Sequence, residues 1–372
     1  MNSYFIRKHD EAMQINQYSE HYNILTRRIL MHCIAEHPGE NIFISPLSVL
    51  LLLSIAADTT AGKTREEIMR LLNSRSGDNN AGKILAEFQK CLAGTDSFAS
   101  ANAIYARPDC VPAVHKSCID LIRSRYNGEF FTDRNMTEAI NQWIGWKTRG
   151  MIGKAADESM KDMLFCLINA VSFESAWNWP FEDEDIKERY FHNADGSRVC
   201  VPMLHGSEDE YIENDLFTGF IKLYKESRFA FMALLPREKA ALSEPTELNL
   251  TGLFRSARRA VVDIRLPEFR FEFSQNLASF CAKEGIHEIW SDHADFSPLS
   301  ADWLRMEAML HKTFVEVNKA GTRAAAVTPA AVAVGCLPPG EIKEVFLDRP
   351  FLFAIIHTNT GIPVFAGQVN RL

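Results

Sequence analysis

The sequence predicts an α+β fold, and two observations carry that reading. In the first 160 residues or so, apolar residues recur at helical spacing. From about Asp162 they gather instead into long runs rich in β-branched and aromatic residues, and these runs do not alternate regularly with helices.

Taken in order, "QYSEHYNILTRRILMHCIAEH" has the period of an amphipathic helix, and "LSVLLLLSIAA" (Leu47–Ala57) reads as a buried one, too short to span a bilayer. "TREEIMRLLN" offers Thr64 and Glu67 as a capping box at a helix start. "INQWIGWKTRGMIGK" puts Ile140, Trp143 and Ile144 on one face and ends at Gly150. The strand candidates follow: "MLFCLINAVSFESAW", "FTGFIKLYKESRFAFMALLP", "RAVVDIRLPEFRFEF" and "MLHKTFVEVN". "PFLFAIIHTNTGIPVFAGQV" carries a turn at Asn359–Gly361 and reads as a hairpin. No repeat and no interdomain linker interrupts this order, so one domain is expected over residues 1–372. The stretch between Gly321 and Pro350 resists assignment, and loops of that length are usually functional or disordered.

Composition narrows the function. With 372 residues and 47% hydrophobic content, the chain can bury a large core without metal or disulfide staples. A net charge of −8 disfavours nucleic acid, and the best basic run, Arg255–Arg259, is short. The eight cysteines form no CxxC pair and mostly sit in apolar stretches, so they read as reduced, small core residues. The first residues lack the apolar core of a signal peptide, which implies a cytoplasmic protein, or an extracellular one if the N-terminus was processed. Sequons occur at Asn135 and Asn249.

No HExxH, GxSxG or GxxxxGK[ST] is present. The histidines are scattered, and the acidic "EDEDI" (Glu182–Ile186) reads as a solvated turn. An enzyme is poorly supported, and no cofactor or metal is implied.

At "NIFISPLSV" (Asn41–Val49) the chain begins to resemble the serpins, the serine protease inhibitor superfamily. The resemblance recurs at "INQWIGWKTRGMI", "LINAVSFESAWNWPF", "FHNADGSRVCVPML", "LPEFRFE", "ADFS", "HKTFVEVNKAGTRAAAVT" and "DRPFLFAIIHTNTGIPVFAGQV", eight segments in the family's order. It implies about nine helices, three β-sheets and an exposed reactive-centre loop, with hinge and loop together at 319–347. The resemblance further implies that a target protease cuts this loop, which then inserts into the main sheet as a strand and carries the acylated protease with it. The hinge is matched by Lys319, Gly321, Thr322, Ala324, Ala326 and Thr328. Ser45, Ser48, Asn169 and His311 match the polar cluster where the strands part, the shutter. Trp177 and Glu268 match the breach, where insertion begins.

The loop sequence "GTRAAAVTPAAVAVG" suits two states. Side chains alternate along a strand, and Thr322, Ala324, Ala326, Thr328, Ala330 and Val332 are all small and uncharged. Arg323 falls on the other face, towards solvent. Pro329 lacks an N–H and is disfavoured inside a sheet, so slower or locally bulged insertion is expected there. Where the family has an acid paired with a lysine, this chain has Lys319 and Glu268; the reversal implies a preserved ion pair at the loop's base.

Counting from Gly321 and Thr322 puts the scissile bond between Gly335 and Cys336, and a slip of one residue adds Val334. None of the three is basic or a large aromatic, so the expected partner is an elastase-like serine protease held in a covalent complex, with a subtilisin-like enzyme next. The inhibitor is expected to be a monomer, without nucleic-acid or membrane partners. The alternatives are cross-class inhibition of a papain-like cysteine protease and a non-inhibitory carrier.

Overall fold

A computed structural model describes residues 2–73, 79–93, 95, 97–108, 114–153, 163, 165–237, 248–323 and 341–372, with side chains from Ile15 onward. Among these are eight α-helices: α1 (Asn2–Glu36), α2 (Pro46–Asp58), α3 (Gly62–Leu71), α4 (Asn80–Ala93), α5 (Lys116–Tyr126), α6 (Met136–Lys147), α7 (Leu250–Arg255) and α8 (Ala278–Lys283). The strands begin with β1 (Ile42–Ile44), β2 (Phe98–Ala106), β3 (Gly128–Thr132), β4 (Phe165–Phe173), β5 (Ser175–Ala176), β6 (Ile186–His192), β7 (Arg198–Glu213) and β8 (Phe217–Leu223). They continue with β9 (Phe229–Pro236), β10 (Arg258–Pro267), β11 (Phe269–Asn276), β12 (Ala308–Asn318), β13 (Gly321–Thr322), β14 (Lys343–Phe346), β15 (Phe351–His357) and β16 (Ile362–Val369).

The chain divides into two compact units. The first holds residues 1–21, 47–172 and 274–314. Its strands run in the order β3-β2-β4-β12. β4 and β12 pair in parallel over seven residues, from Ala308↔Cys166 to Phe314↔Ser172, so no strand lies between them. One face of this sheet is covered by α6, whose Met136, Ile140, Trp143 and Ile144 pack on Cys166, Ile168, Ala170, Ala308, Leu310 and Phe314. The helix ends as its sequence predicts: Gly150 takes a left-handed φ of +74° and returns its N–H to the Gly145 carbonyl at 2.7 Å.

The second unit holds residues 22–46, 173–273 and 315–372. Its nine-stranded sheet follows β1-β16-β15-β9-β8-β7-β10-β14, with β6 against β7. Two of the three expected sheets thereby join into one hydrogen-bonded network. The reason is β7, 16 residues long, which pairs with β6 and β10 and then passes to β8 through Tyr211–Glu213. The β15–β16 hairpin closes at Thr358–Gly361, which includes the turn read at Asn359–Gly361, with Gly361 at φ +70°. β14 was not foreseen; it lies in the stretch that resists assignment from sequence and pairs in parallel with β10 from Val262↔Lys343 to Arg265↔Phe346.

One further reading is revised. The N-cap position of α3 is Ala61, which makes no side-chain cap, rather than Thr64, and the expected box residues look outward to other elements. Thr64 Oγ1 accepts from the Asp295 N–H at 2.9 Å, and Glu67 accepts from the N–H groups of His287 and Glu288. Both sequon asparagines act as helix N-caps, Asn135 on α6 and Asn249 on α7. Of the cysteines described, Cys33, Cys118, Cys166 and Cys281 are buried as expected, but Cys200 is exposed. Burial pushes the Cys33 and Cys281 thiols up to about 12, so both stay protonated.

Candidate functional site

Predicted site residues gather in two places, one in each unit. In the first unit Asn169 (β4) and His311 (β12) share a row of the parallel ladder. Both are fully buried. His311 Nδ1 donates to Asn169 Oδ1 at 3.1 Å, which fixes the proton on Nδ1. Asn169 Nδ2 donates to Asn102 Oδ1 at 2.9 Å and lies within reach of Ser100 Oγ and the Ala101 carbonyl. Ser48 Oγ is 3.5 Å from Ser100 Oγ, at the limit of a hydrogen bond. The network thus ties β4, β12, β2 and α2 together, and it needs Ser100 and Asn102, which the sequence did not single out. Ser45 is fully buried, in the second unit.

Burial holds the His311 pKa down to about 3, against an ordinary histidine value near 6.5. The unfolded chain therefore binds a proton between those values and the folded one does not. Stability attributable to His311 is present above pH 6.5 and is lost as pH falls, by about 1.4 kcal/mol per unit. His357, lowered to about 4 by burial and then by Arg228, adds a slope of the same sign. Urea unfolding at pH 7.5 and pH 5.0 should show this loss, and His311→Gln should flatten part of it. An equal slope in both proteins would contradict the assignment.

In the second unit the chain leaves β12, turns at Lys319–Ala320 and returns as β13. β13 is antiparallel to two neighbours at once. Val317↔Thr322 and Asn318↔Gly321 pair it with β12; Gly321↔Ala176 and Thr322↔Ser175 pair it with β5. Trp177 secures the turn by donating its backbone N–H to the Ala320 carbonyl at 2.9 Å and its indole N–H to the Asn318 carbonyl at 3.0 Å. Phe181 N–H donates to the Lys319 carbonyl at 3.0 Å. Thr322 is fully buried, and its hydroxyl meets the Tyr224 hydroxyl at 2.6 Å. The Tyr224 ring stacks on Trp177 with centroids 4.6 Å apart.

The expected Glu268–Lys319 ion pair is replaced by two other contacts. Glu268 Oε1 accepts from the Lys319 backbone N–H at 2.9 Å, while the Lys319 ammonium pairs with Asp183. Asp183 belongs to the acidic turn read as merely solvated, where Glu182 and Asp185 form a capping box that fixes its shape. The hydrogen bond to Asp183 raises the Lys319 pKa. Arg323 also differs from expectation: it is half-buried rather than solvent-facing. Its N–H donates to the Glu316 carbonyl at 2.7 Å, and its φ of +42° marks the end of the strand.

Ala324, Ala326, Thr328, Pro329, Ala330, Val332, Val334, Gly335 and Cys336 lie outside the described residues. No cluster of three or more His, Cys, Asp or Glu residues able to hold a metal occurs among the described residues, and no helix among them is long and apolar enough to cross a membrane.

A family model described as "Serpin (serine protease inhibitor)" matches residues 20–372. Serpin-Z2A of Triticum aestivum is 30% identical, with 90% of each chain covered. Plasminogen activator inhibitor 1 of Sus scrofa is 28% identical over 92% of this chain and 89% of its own length. Among solved structures, the thermophilic serpin tengpin in its native state superposes with a TM-score of 0.83 at 30% identity, covering 90% of both chains. Thyroxine-binding globulin in complex with thyroxine, 22% identical, gives the same score over 95% of this chain and 99% of its own and shares the fold.

Proposed function

Since this chain belongs to the serpin family, we propose that it is a suicide inhibitor of serine proteases with a small hydrophobic specificity pocket, elastase-like enzymes first. The target cuts near Gly335, and the freed loop inserts between β4 and β12 before the acyl-enzyme can be hydrolysed.

The observation that carries this reading is the double pairing of β13. Gly321 and Thr322 already occupy a strand position, with β12 on one side and β5 on the other. Continuing both registers residue for residue places Ala324 level with Val315 and Phe173, and Ala326 level with Thr313 and Val171. Thr328 comes level with His311 and Asn169, which already share a row in the β4–β12 ladder. The two registers agree without a bulge. Thr322, Ala324, Ala326 and Thr328 would then face the side where Thr313 and His311 are fully buried, which explains why all four are small and uncharged.

The alternate residues Ala325, Val327 and Pro329 would enter on the face that α6 covers. Pro329 comes level with Leu310 and Ile168, both packed in the α6 cluster. Lacking an N–H, it leaves one ladder bond unmade, worth about 1 kcal/mol. The rows on either side remain intact, so this slows insertion at a late step rather than preventing it.

The test is incubation with pancreatic elastase followed by a denaturing gel. A band at the summed mass that survives SDS supports trapping, with the new N-terminus of the released peptide locating the cut among Val334, Gly335 and Cys336. Complete cleavage without that band would refute the inhibitor reading for elastase.

A further inference from the structure

Beneath the hinge lies a buried charge pair that the insertion scheme does not use. Lys222, on β8, is only 4% exposed, and its ammonium donates to Glu208 Oε1 on β7 at 2.7 Å. A sequence reading assigns both residues to the surface, because lysine and glutamate are almost never fully buried unless paired. Burial raises the Glu208 carboxyl pKa, and the Lys222 ammonium draws it back down.

The position of the ammonium is specific. It sits 4.4 Å from the centre of the Phe181 ring and 5.5 Å from that of Trp177, within the range of cation–π attraction. The Phe181 ring rests in space left by Gly206, where a Cβ would come within 2.9 Å of it. These two aromatic residues donate to the hinge carbonyls of Asn318, Lys319 and Ala320, and Trp177 stacks on the tyrosine that holds Thr322. One desolvated cation therefore lies against both rings whose backbones carry the turn from β12 into β13.

We propose that the buried Lys222–Glu208 pair positions Trp177 and Phe181 as the floor of the hinge, and so sets the fraction of protease encounters that end in trapping rather than turnover. Neither residue touches the protease; both act through the two rings. The proposal rests on the insertion reading for its effect on trapping, but not for its effect on the hinge.

The test compares wild type with Lys222→Met/Glu208→Gln, which removes both charges and keeps the side-chain sizes. Glu208→Asp, which keeps the pair's charges, is the conservative control. Urea midpoints establish that each protein is folded. Amide exchange at Lys319–Arg323, read without any protease, should quicken about tenfold in the double variant, as expected for losing a desolvated cation–π contact. With elastase its association rate should stay unchanged, while the ratio of cleaved to trapped inhibitor rises about tenfold. Glu208→Asp should stay near wild type in both readouts.

A folded double variant with wild-type exchange overturns the positioning role. Faster exchange with a wild-type partition overturns the link to trapping. A wild-type protein that is cut but never trapped overturns that link together with the insertion reading, and exchange alone then decides the hinge contact.

Discussion

Replacing Thr322 with arginine should turn this protein from an inhibitor into a substrate. Thr322 is fully buried, with its hydroxyl on Tyr224 beneath the Trp177 ring. It belongs to the first row the loop forms with β12 and β5. A guanidinium there would be an unpaired buried charge, costing about 3–5 kcal/mol, so the arginine expels this row from the intact sheet, and re-forming it during insertion is slowed by more than about 100-fold. The cleavage region around Gly335 is untouched, so the protease still cuts, and the acyl-enzyme hydrolyses before the loop can insert. On a denaturing gel the high-mass band should vanish and all inhibitor should run as the cleaved form. Thr322→Val, which loses only the Tyr224 hydrogen bond, should still trap. An arginine variant that trapped as well as wild type would show that insertion does not pass through this row.

The second large effect is expected at Asn169. Its amide accepts from His311 and donates to Asn102, in a site where all three residues are almost wholly buried. Asn169→Leu strands the His311 N–H and one lone-pair site on Asn102, each costing about 1–3 kcal/mol. A loss of about 2–6 kcal/mol is a large share of the stability of an ordinary domain. On the proposed insertion route it falls where β4 and β12 part, so strand opening should become easier as well. Urea unfolding reads the first effect, and amide exchange along Phe165–Phe173 the second. An unchanged midpoint would mean that the polar row is incidental.

The sequence made much of this arrangement legible where a pattern repeats over many residues. The α6 face, the β8–β9 and β15–β16 pairs and the small-residue alternation after Gly321 are all visible as periodicity. What stayed hidden depends on partners distant in the chain. Thr64 and Glu67 have the spacing of a capping box, yet their side chains serve backbone groups more than 200 positions away. Glu268 and Lys319 do meet, but through a carboxylate and a backbone N–H. The lysine's charge goes to Asp183, in a turn whose composition looks only solvated. Lys222 gives no signal at all in sequence, since only the fold places it under two aromatic rings. β14 is four residues long with two charged residues, too brief for its alternation to stand out.

The central claim is that the native chain stores a strand position that the cut loop fills. Its most direct test is thermal unfolding of the intact protein and of the same protein nicked between residues 330 and 336. Extending β13 to Thr328 adds six residues hydrogen-bonded on both sides, each bond worth about 1 kcal/mol, while the seven-residue β4–β12 ladder is given up. In a chain of this length about 1 kcal/mol moves Tm by about 1–2 °C, so a rise in Tm of about 5–10 °C is predicted on cleavage. A nicked protein that unfolds at the temperature of the intact one would contradict insertion.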